Sequence, residues 1–255
     1  MALILVAHGT RRPGGVTMIE GLAAQVSTLV GHTVDVAYVD VVGPTPSEVL
    51  AGSAGRPTIV VPAFLSRGYH VRADLPAHVA ISGHPNVTIT PALGPSGQIA
   101  RIVGDQLLKC GWHPRDSVIL AAAGTSDDKA RADLHTTATL LSALTGSRVS
   151  LAFAATGDPQ LHEAVDRARR HGRRDGGRVV VASYLLADGL FQQRLHGCGA
   201  DLVGQPLGTH PGLARLIANR FRRALPPVLA ATARRASRRS GPHQLAHAHA
   251  LRPIP

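Results

Sequence analysis

The chain is poor in the residues that would place it in several large protein classes. Aromatic residues make up 3% of its 255 residues, which leaves few side chains on which nucleic-acid bases could stack. Its two cysteines, Cys110 and Cys198, are too few and too far apart for an iron–sulfur cluster or a redox motif. No apolar run reaches the roughly 18 residues that a membrane-spanning helix needs. We therefore expect a cytoplasmic protein that binds neither nucleic acid nor a membrane.

Several motifs are also missing. The phosphate-binding pattern GxxxxGK[ST] is absent, and no GxGxxG follows a strand-like run, so neither an ATP-driven step nor a dinucleotide cofactor is expected. The opening strand–His–Gly segment resembles phosphohistidine phosphatases, but these need an arginine where this chain has Ala7. The apolar run 1–6 has no basic residues before it, so we interpret it as part of a first strand rather than a signal peptide.

The net charge of +11 is distributed unevenly along the chain. Residues 211–255 contain nine arginines and no acidic residue. We expect residues 226–255, which also carry His243, His247 and His249, to form a solvated, disordered tail.

Two histidines follow apolar, strand-like runs. His8 directly follows the run 2–7, His70 lies a few residues past the run 58–65, and Asp40 ends a third run. Ligands of open parallel sheets bind beyond the carboxyl ends of the strands. Either histidine alone could be an ordinary turn residue, but the two together with Asp40 indicate a three-ligand site for a divalent metal.

The sequence also contains an internal repeat. His8-Gly9-Thr10 recurs as Ala123-Gly124-Thr125, and the segment around Asp40 recurs at the same offset around Ala155. His70 corresponds to Leu190 or Phe191, depending on a one-residue gap. The sequence therefore predicts two ancestral copies, of which only the first keeps a working site.

Each copy alternates apolar runs with helical stretches, which predicts parallel strands joined by helices. Strands are predicted at 2–7, 33–39, 58–64, 87–90, 117–122, 148–154, 178–185 and 200–204. Helices are predicted at about 17–30, 45–53, 73–82, 96–110, 128–145, 159–171, 189–196 and 211–224. The fold class is thus α/β, with two tandem, small, doubly wound domains, 1–113 and 114–225, that face each other across a cleft. Periodicity leaves the strand order open, although the order 2-1-3-4 would place His8 and His70 on neighbouring strands.

Basic residues and glycines surround the candidate ligands. The arginines Arg11, Arg12, Arg67 and Arg72 would keep the imidazoles neutral and attract a substrate rich in carboxylates. The glycines Gly9, Gly14, Gly15 and Gly68 would let the backbone turn sharply and a flat ligand approach.

Three segments, residues 6–11, 40–48 and 62–76, resemble the class II sirohydrochlorin chelatases. The resemblance covers about residues 2–224. It implies an ATP-independent enzyme that inserts Fe²⁺ or Co²⁺, with iron favoured, into the flat tetrapyrrole sirohydrochlorin for sirohaem or cobalamin synthesis. It also implies that His8, His70 and Asp40 line a cleft between two α/β domains, although many members have glutamate at the position of Asp40.

The expected partners are sirohydrochlorin and a divalent metal, with no cofactor beyond that metal ion. We expect a monomer that contains an internal pseudo-dimer. The alternative is a metal carrier or storage protein that uses the same histidines without catalysis, although a carrier would gain nothing from the arginines around them.

Overall fold

The computed structural model describes residues 1–172 and 177–225, and Met1–Ala224 form one compact unit. Its strands are β1 (Ala2–Ala7), β2 (Val34–Tyr38), β3 (Thr58–Pro62), β4 (Val87–Ile89), β5 (Ser117–Ala122), β6 (Val149–Phe153), β7 (Val179–Tyr184) and β8 (Leu202–Val203). Its α-helices are α1 (Pro13–Val30), α2 (Pro46–Gly52), α3 (Leu75–Ser82), α4 (Gly97–Lys109), α5 (Asp128–Thr145), α6 (Leu161–Gly172), α7 (Leu190–His196) and α8 (Pro211–Ala224).

The strands form two parallel sheets of four, ordered β2-β1-β3-β4 and β6-β5-β7-β8. Every residue of β1 is buried, as expected for a central strand that helices cover on both faces. The predicted α/β fold class with two tandem sheets is confirmed. In the first sheet β1 lies between β2 and β3, so the segments that carry His8 and His70 follow neighbouring strands.

The first helix starts earlier than its predicted beginning at residue 17. Pro13 occupies its first turn, where the fixed φ of proline suits a helix and its missing N–H costs nothing. Gly15 is buried, and a Cβ there would lie 2.4 Å from Cγ2 of Thr10. The interpretation of Gly14 and Gly15 as a turn that admits a flat ligand was therefore wrong, because both belong to the helix.

The last helix of each repeat packs on the other repeat. α4 packs most extensively against α5, β7 and α8, and α8 packs against α1 and β3. The side-chain amide of Gln106 on α4 donates to the carbonyl of Pro206 at 2.9 Å, and the Arg220 guanidinium on α8 donates to the carbonyl of Ala92 at 3.1 Å. The last helix of each repeat thus helps to cover the other repeat. The domain boundary at residue 113 remains a prediction.

Within the described residues, no helix is long and apolar enough to cross a membrane. The cytoplasmic location remains a prediction. The arginine- and histidine-rich tail 226–255, with His243, His247 and His249, lies outside the described residues.

Candidate functional site

His8 directly follows the carboxyl end of β1 and begins a tightly packed turn. Gly9 adopts φ +100°, a conformation that favours glycine. The backbone N–H of Asp40 donates to the carbonyl of His8 at 2.9 Å. This contact brings the ends of β1 and β2 together and leaves the His8 side chain exposed.

His70 begins a short π-helical turn, His70–Asp74, that leads directly into α3. Such turns are rare and often occur at functional sites. Nδ1 of His70 lies 2.5 Å from Oδ2 of Asp74, and the Phe64 ring stacks on the imidazole with centroids 6.0 Å apart. Phe64 packs on the core of the first sheet, so the His70 ring is fixed from two sides.

The two imidazoles face each other, with ring centroids 4.6 Å apart at an interplanar angle of 78°. Nδ1 of His8 lies 3.3 Å from the carbonyl of Gly9, and Nδ1 of His70 bonds to Asp74. We assign Nδ1 as the protonated nitrogen in both rings, because both of its partners are acceptors. Nε2 then carries the lone pair in both. Histidines that bind metals characteristically donate their other N–H to a carboxylate or a carbonyl in this way.

Asp40 does not complete this pair. Its Oδ1 accepts the backbone N–H of Val41 at 2.7 Å, and its carbonyl accepts the N–H of Val42 at 2.8 Å across a turn in which Val41 has φ +71°. Across residues 1–172 and 177–225, no three His, Cys, Asp or Glu side chains are grouped so that they could share one metal ion. In this structure the local turn directs the Asp40 carboxylate to its own backbone, and the role of Asp40 as a third metal ligand stays a prediction.

Two of the four predicted substrate-binding arginines form ion pairs with the second repeat. Arg67 pairs with Asp133 at 2.5 Å, and Arg72 pairs with Asp127. Hydrogen bonding to Asp133 raises the pKa of the Arg67 guanidinium. The pKa of Asp127 is lowered by the Ala130 N–H that its carboxylate accepts, and further by Arg72.

The other two arginines lie on the exposed surface beside His8. Arg12 donates to the side-chain oxygen of Gln193 at 3.2 Å, and Arg11 follows His8 by three residues. These two arginines are better placed to meet an anionic substrate than the paired Arg67 and Arg72.

Asp74 and Phe64 were missed as partners of His70. The spacing of His70 and Asp74, four residues apart, places both on one side of a helical turn and could have revealed the pair. Phe64 offered no such signal, because it read as one more apolar residue of a strand-like run.

The second repeat has no equivalent pair. Ala123 follows β5 as His8 follows β1. When β3 is aligned with β7 by their pairing with β1 and β5, Phe191 is the residue equivalent to His70. Phe191 stacks under Arg194 at 5.8 Å instead. The second repeat therefore lacks the paired imidazoles.

The turn at Gly9 leads to a stability prediction. A Cβ at Gly9 would lie 2.0 Å from the carbonyl oxygen of Asp40, and the positive φ adds strain for any other residue. We expect Gly9→Ala to lower the free energy of unfolding by about 2 kcal/mol or more, measured by urea unfolding. Gly14→Ala is the matched control, because a Cβ there meets nothing within 4 Å. Equal stability of the two variants would contradict this account of the turn.

Solved structures share this fold along most of the chain. SirB from Bacillus subtilis, solved with Fe³⁺, matches 87% of this chain and 94% of its own with a TM-score of 0.73 at 20% identity. A structure of CbiX, described as the terminal enzyme for biosynthesis of siroheme in denitrifying bacteria, matches 89% of this chain and 100% of its own, with a TM-score of 0.66 and 21% identity. At these identities the likeness concerns the fold, and it defines the class: a tandem α/β protein of the chelatase type.

Sequence relatives agree with this class. The sirohydrochlorin ferrochelatase of Priestia megaterium is 24% identical over 246 residues, which cover 88% of this chain and 90% of that protein. The sirohydrochlorin cobaltochelatase of Methanopyrus kandleri is 34% identical over 80 residues, which cover 30% of this chain and 56% of that protein. The CbiX family model matches twice, over residues 2–110 and 117–224. The chain belongs to the CbiX family, which confirms the resemblance predicted from its motifs.

Proposed function

We propose that this protein is a sirohydrochlorin chelatase that inserts a divalent metal ion into the tetrapyrrole without nucleotide hydrolysis. The observation that carries the proposal is the pair of imidazoles of His8 and His70, 4.6 Å apart, each with Nδ1 beside an acceptor. The names of the relatives from Priestia megaterium and Methanopyrus kandleri support the choice of substrate.

The reaction replaces two pyrrole N–H protons by one M²⁺ ion, so the protein must deliver the metal and accept protons. The Nε2 lone pairs of His8 and His70 suit both tasks, because neutral imidazole binds Fe²⁺ and Co²⁺ and can also accept a proton. As the metal passes to the four ring nitrogens, each imidazole becomes available to take up one pyrrole proton.

The surrounding residues orient these groups. Asp74 fixes the tautomer and the orientation of the His70 ring. Arg11 and Arg12 supply guanidinium groups for the carboxylates of the tetrapyrrole. The exposed ring of Tyr69, 6.0 Å from that of His70, offers a surface for the flat macrocycle.

We propose Fe²⁺ as the metal used in the cell and Co²⁺ as an accepted alternative. A sirohydrochlorin ferrochelatase, that of Priestia megaterium, is related to this protein along 88% of the chain. Imidazole sites bind Co²⁺ more tightly than Fe²⁺, so the ligands themselves do not select iron.

The test is anaerobic incubation of the protein with sirohydrochlorin and either Fe²⁺ or Co²⁺, without nucleotide, while the absorbance of the tetrapyrrole is followed. We expect acceleration over a metal-only control with both metals, with Co²⁺ inserted at least as fast as Fe²⁺. Tight metal binding without acceleration would refute the chelatase and favour the metal carrier instead.

The contact between His70 and Asp74 leads to a kinetic prediction. Asp74→Asn keeps the size of the side chain but removes the charge that orients the imidazole. We expect the rate of metal insertion to fall about 10- to 100-fold, the usual effect of losing the hydrogen-bond partner of a metal-binding histidine. Asp105→Asn is the matched control. Oδ2 of Asp105 lies 3.4 Å from Nε2 of His210, a histidine that directly precedes α8 and does not belong to the site. An unchanged rate in Asp74→Asn would show that the contact does not serve the reaction.

A further inference from the structure

The second repeat holds the segment that carries His70, here called the histidine loop (residues 65–70). The hydroxyl of Tyr184 on β7 donates to the carbonyl of Leu65 at 2.9 Å. Asp133 on α5 accepts the backbone N–H of Arg67 at 2.7 Å. Both bonds fix the main chain of the loop rather than a side chain alone.

Asp133 is the stronger of these two anchors. Its side chain is 1% exposed, and it also accepts Nε of Arg67 at 3.0 and 3.1 Å and Nη2 at 2.5 Å. A buried carboxylate is costly unless it is paired and hydrogen-bonded. Arg67 must therefore stay close to Asp133 for the charge to be compensated, and its position is restricted accordingly.

Backbone hydrogen bonds connect the position of Arg67 to that of His70. The carbonyl of Gly68, next to Arg67, accepts the N–H groups of Val71 at 3.1 Å and Arg72 at 3.2 Å. These bonds form the turn on which His70 lies. Arg72 returns to the loop, with its Nε donating to the carbonyl of Arg67 at 3.1 Å.

The internal repeat shows that packing alone does not require this charge. α1 and α5 each have 18 residues, and aligning them places Met18 opposite Asp133 and Leu22 opposite Thr137. Met18 lies against Gly208, where a Cβ would come within 2.3 Å of its sulfur. The same helix position thus packs through an apolar side chain in one repeat and through an ion pair in the other.

Two more positions that are polar near the histidine loop have apolar equivalents in the first repeat. Thr137 is buried and its hydroxyl lies 3.2 Å from that of Tyr184, while the aligned registers of β3 and β7 place Ala63 opposite Tyr184. Burial raises the pKa of the Tyr184 phenol, so it stays a neutral donor to the loop.

We infer that Asp133 is a positioning residue for His70, an inference that rests on the proposed function. Through Arg67 it holds the histidine loop so that the imidazole of His70 faces that of His8. The second repeat, which lacks the paired histidines, thus takes part in the reaction by setting the geometry of the pair in the first.

The test compares two full-length variants, Asp133→Asn and the matched control Asp116→Asn. Asp116 is likewise buried, with a 4% exposed side chain, and pairs with Arg178 at 2.8 Å. These residues directly precede β5 and β7, at the sheet edge opposite the histidine loop. Urea unfolding reports stability, and titration with Co²⁺ alone, followed by its visible absorption, reports the histidine pair.

We expect both variants to lose stability, but only Asp133→Asn to bind Co²⁺ about tenfold more weakly, the lower end of the range for partners that orient metal-binding histidines. Its rate of metal insertion at saturating substrate should fall in parallel. Equal Co²⁺ affinities in the two variants would overturn the inference and leave Asp133 a purely structural residue.

A second variant covers the case in which Asp133→Asn does not fold. Tyr184→Phe keeps the buried ring but removes the bond to Leu65, and we expect about fivefold weaker Co²⁺ binding, the equivalent of one net hydrogen bond. Unchanged binding in a folded Tyr184→Phe would then overturn the statement that the second repeat sets the geometry of the histidine pair.

His70→Ala separates the two proposals. If it binds Co²⁺ like the native protein, the paired-imidazole site itself fails. If it loses binding while folded Asp133→Asn keeps native affinity, only the positioning role fails.

Discussion

His8→Ala and His70→Ala are each expected to lower the rate of metal insertion into sirohydrochlorin by about 100-fold or more, on the scale of a lost general base. Each substitution removes one of the two facing imidazoles and with it one Nε2 lone pair. The remaining ring can neither hold the metal from two sides nor accept the second proton. Initial rates under anaerobic conditions with Fe²⁺ and with Co²⁺ measure the effect.

His32→Ala is the matched control for both variants. His32 is exposed just past the end of α1, and its Nδ1 lies 3.2 Å from the carbonyl of Val30. This substitution should leave the rate unchanged. A folded His8→Ala or His70→Ala that works at the rate of His32→Ala would remove the basis of the proposed site.

The second large effect is expected on cutting the chain to residues 1–113. Helix α4 would lose α5, β7 and α8, the elements on which it packs most extensively. Its buried residues Ile99, Ile102, Val103 and Leu107 would face water, at about 2 kcal/mol for each large aliphatic side chain. That total is comparable with the whole stability of a small domain. We expect the half-chain to show no cooperative unfolding transition and to lose at least about 100-fold in insertion rate per chain.

Addition of the separately prepared half 114–225 is the corresponding control. It should restore part of the rate, because it supplies both the partners of α4 and the anchors Asp133 and Tyr184. A half-chain 1–113 that unfolds cooperatively and inserts metal at the native rate would contradict the structural role of the second repeat.

Much of the site could be predicted because its signals are local. An apolar run that is followed within a few residues by a metal-binding side chain predicts both a buried parallel strand and the edge of the sheet at which that side chain lies. His8 and His70 satisfied this rule on two strands that the structure places side by side. Asp40 satisfied it as well, but its turn supplies a competing backbone N–H, and a short carboxylate readily bonds to neighbouring backbone.

The long-range contacts could not be predicted in the same way. Arg67 and Asp133 are 66 residues apart, and composition around Arg67 suggested only a basic surface for an anionic substrate. The reciprocal packing of α4 and α8 is likewise invisible in helical periodicity, because an apolar face shows that a helix is buried but not which sheet buries it.

The sequence by itself determined the alternation of strands and helices, the duplication, the family and the two histidines. These features depend on residue periodicity and on motifs that span a few residues. Only the tertiary structure decided that the Asp40 carboxylate bonds to its own turn, that Asp74 orients His70, and that the second repeat anchors the histidine loop. Those outcomes depend on which acceptor or charge lies nearest in space, and distance in space is set by packing between segments far apart along the chain.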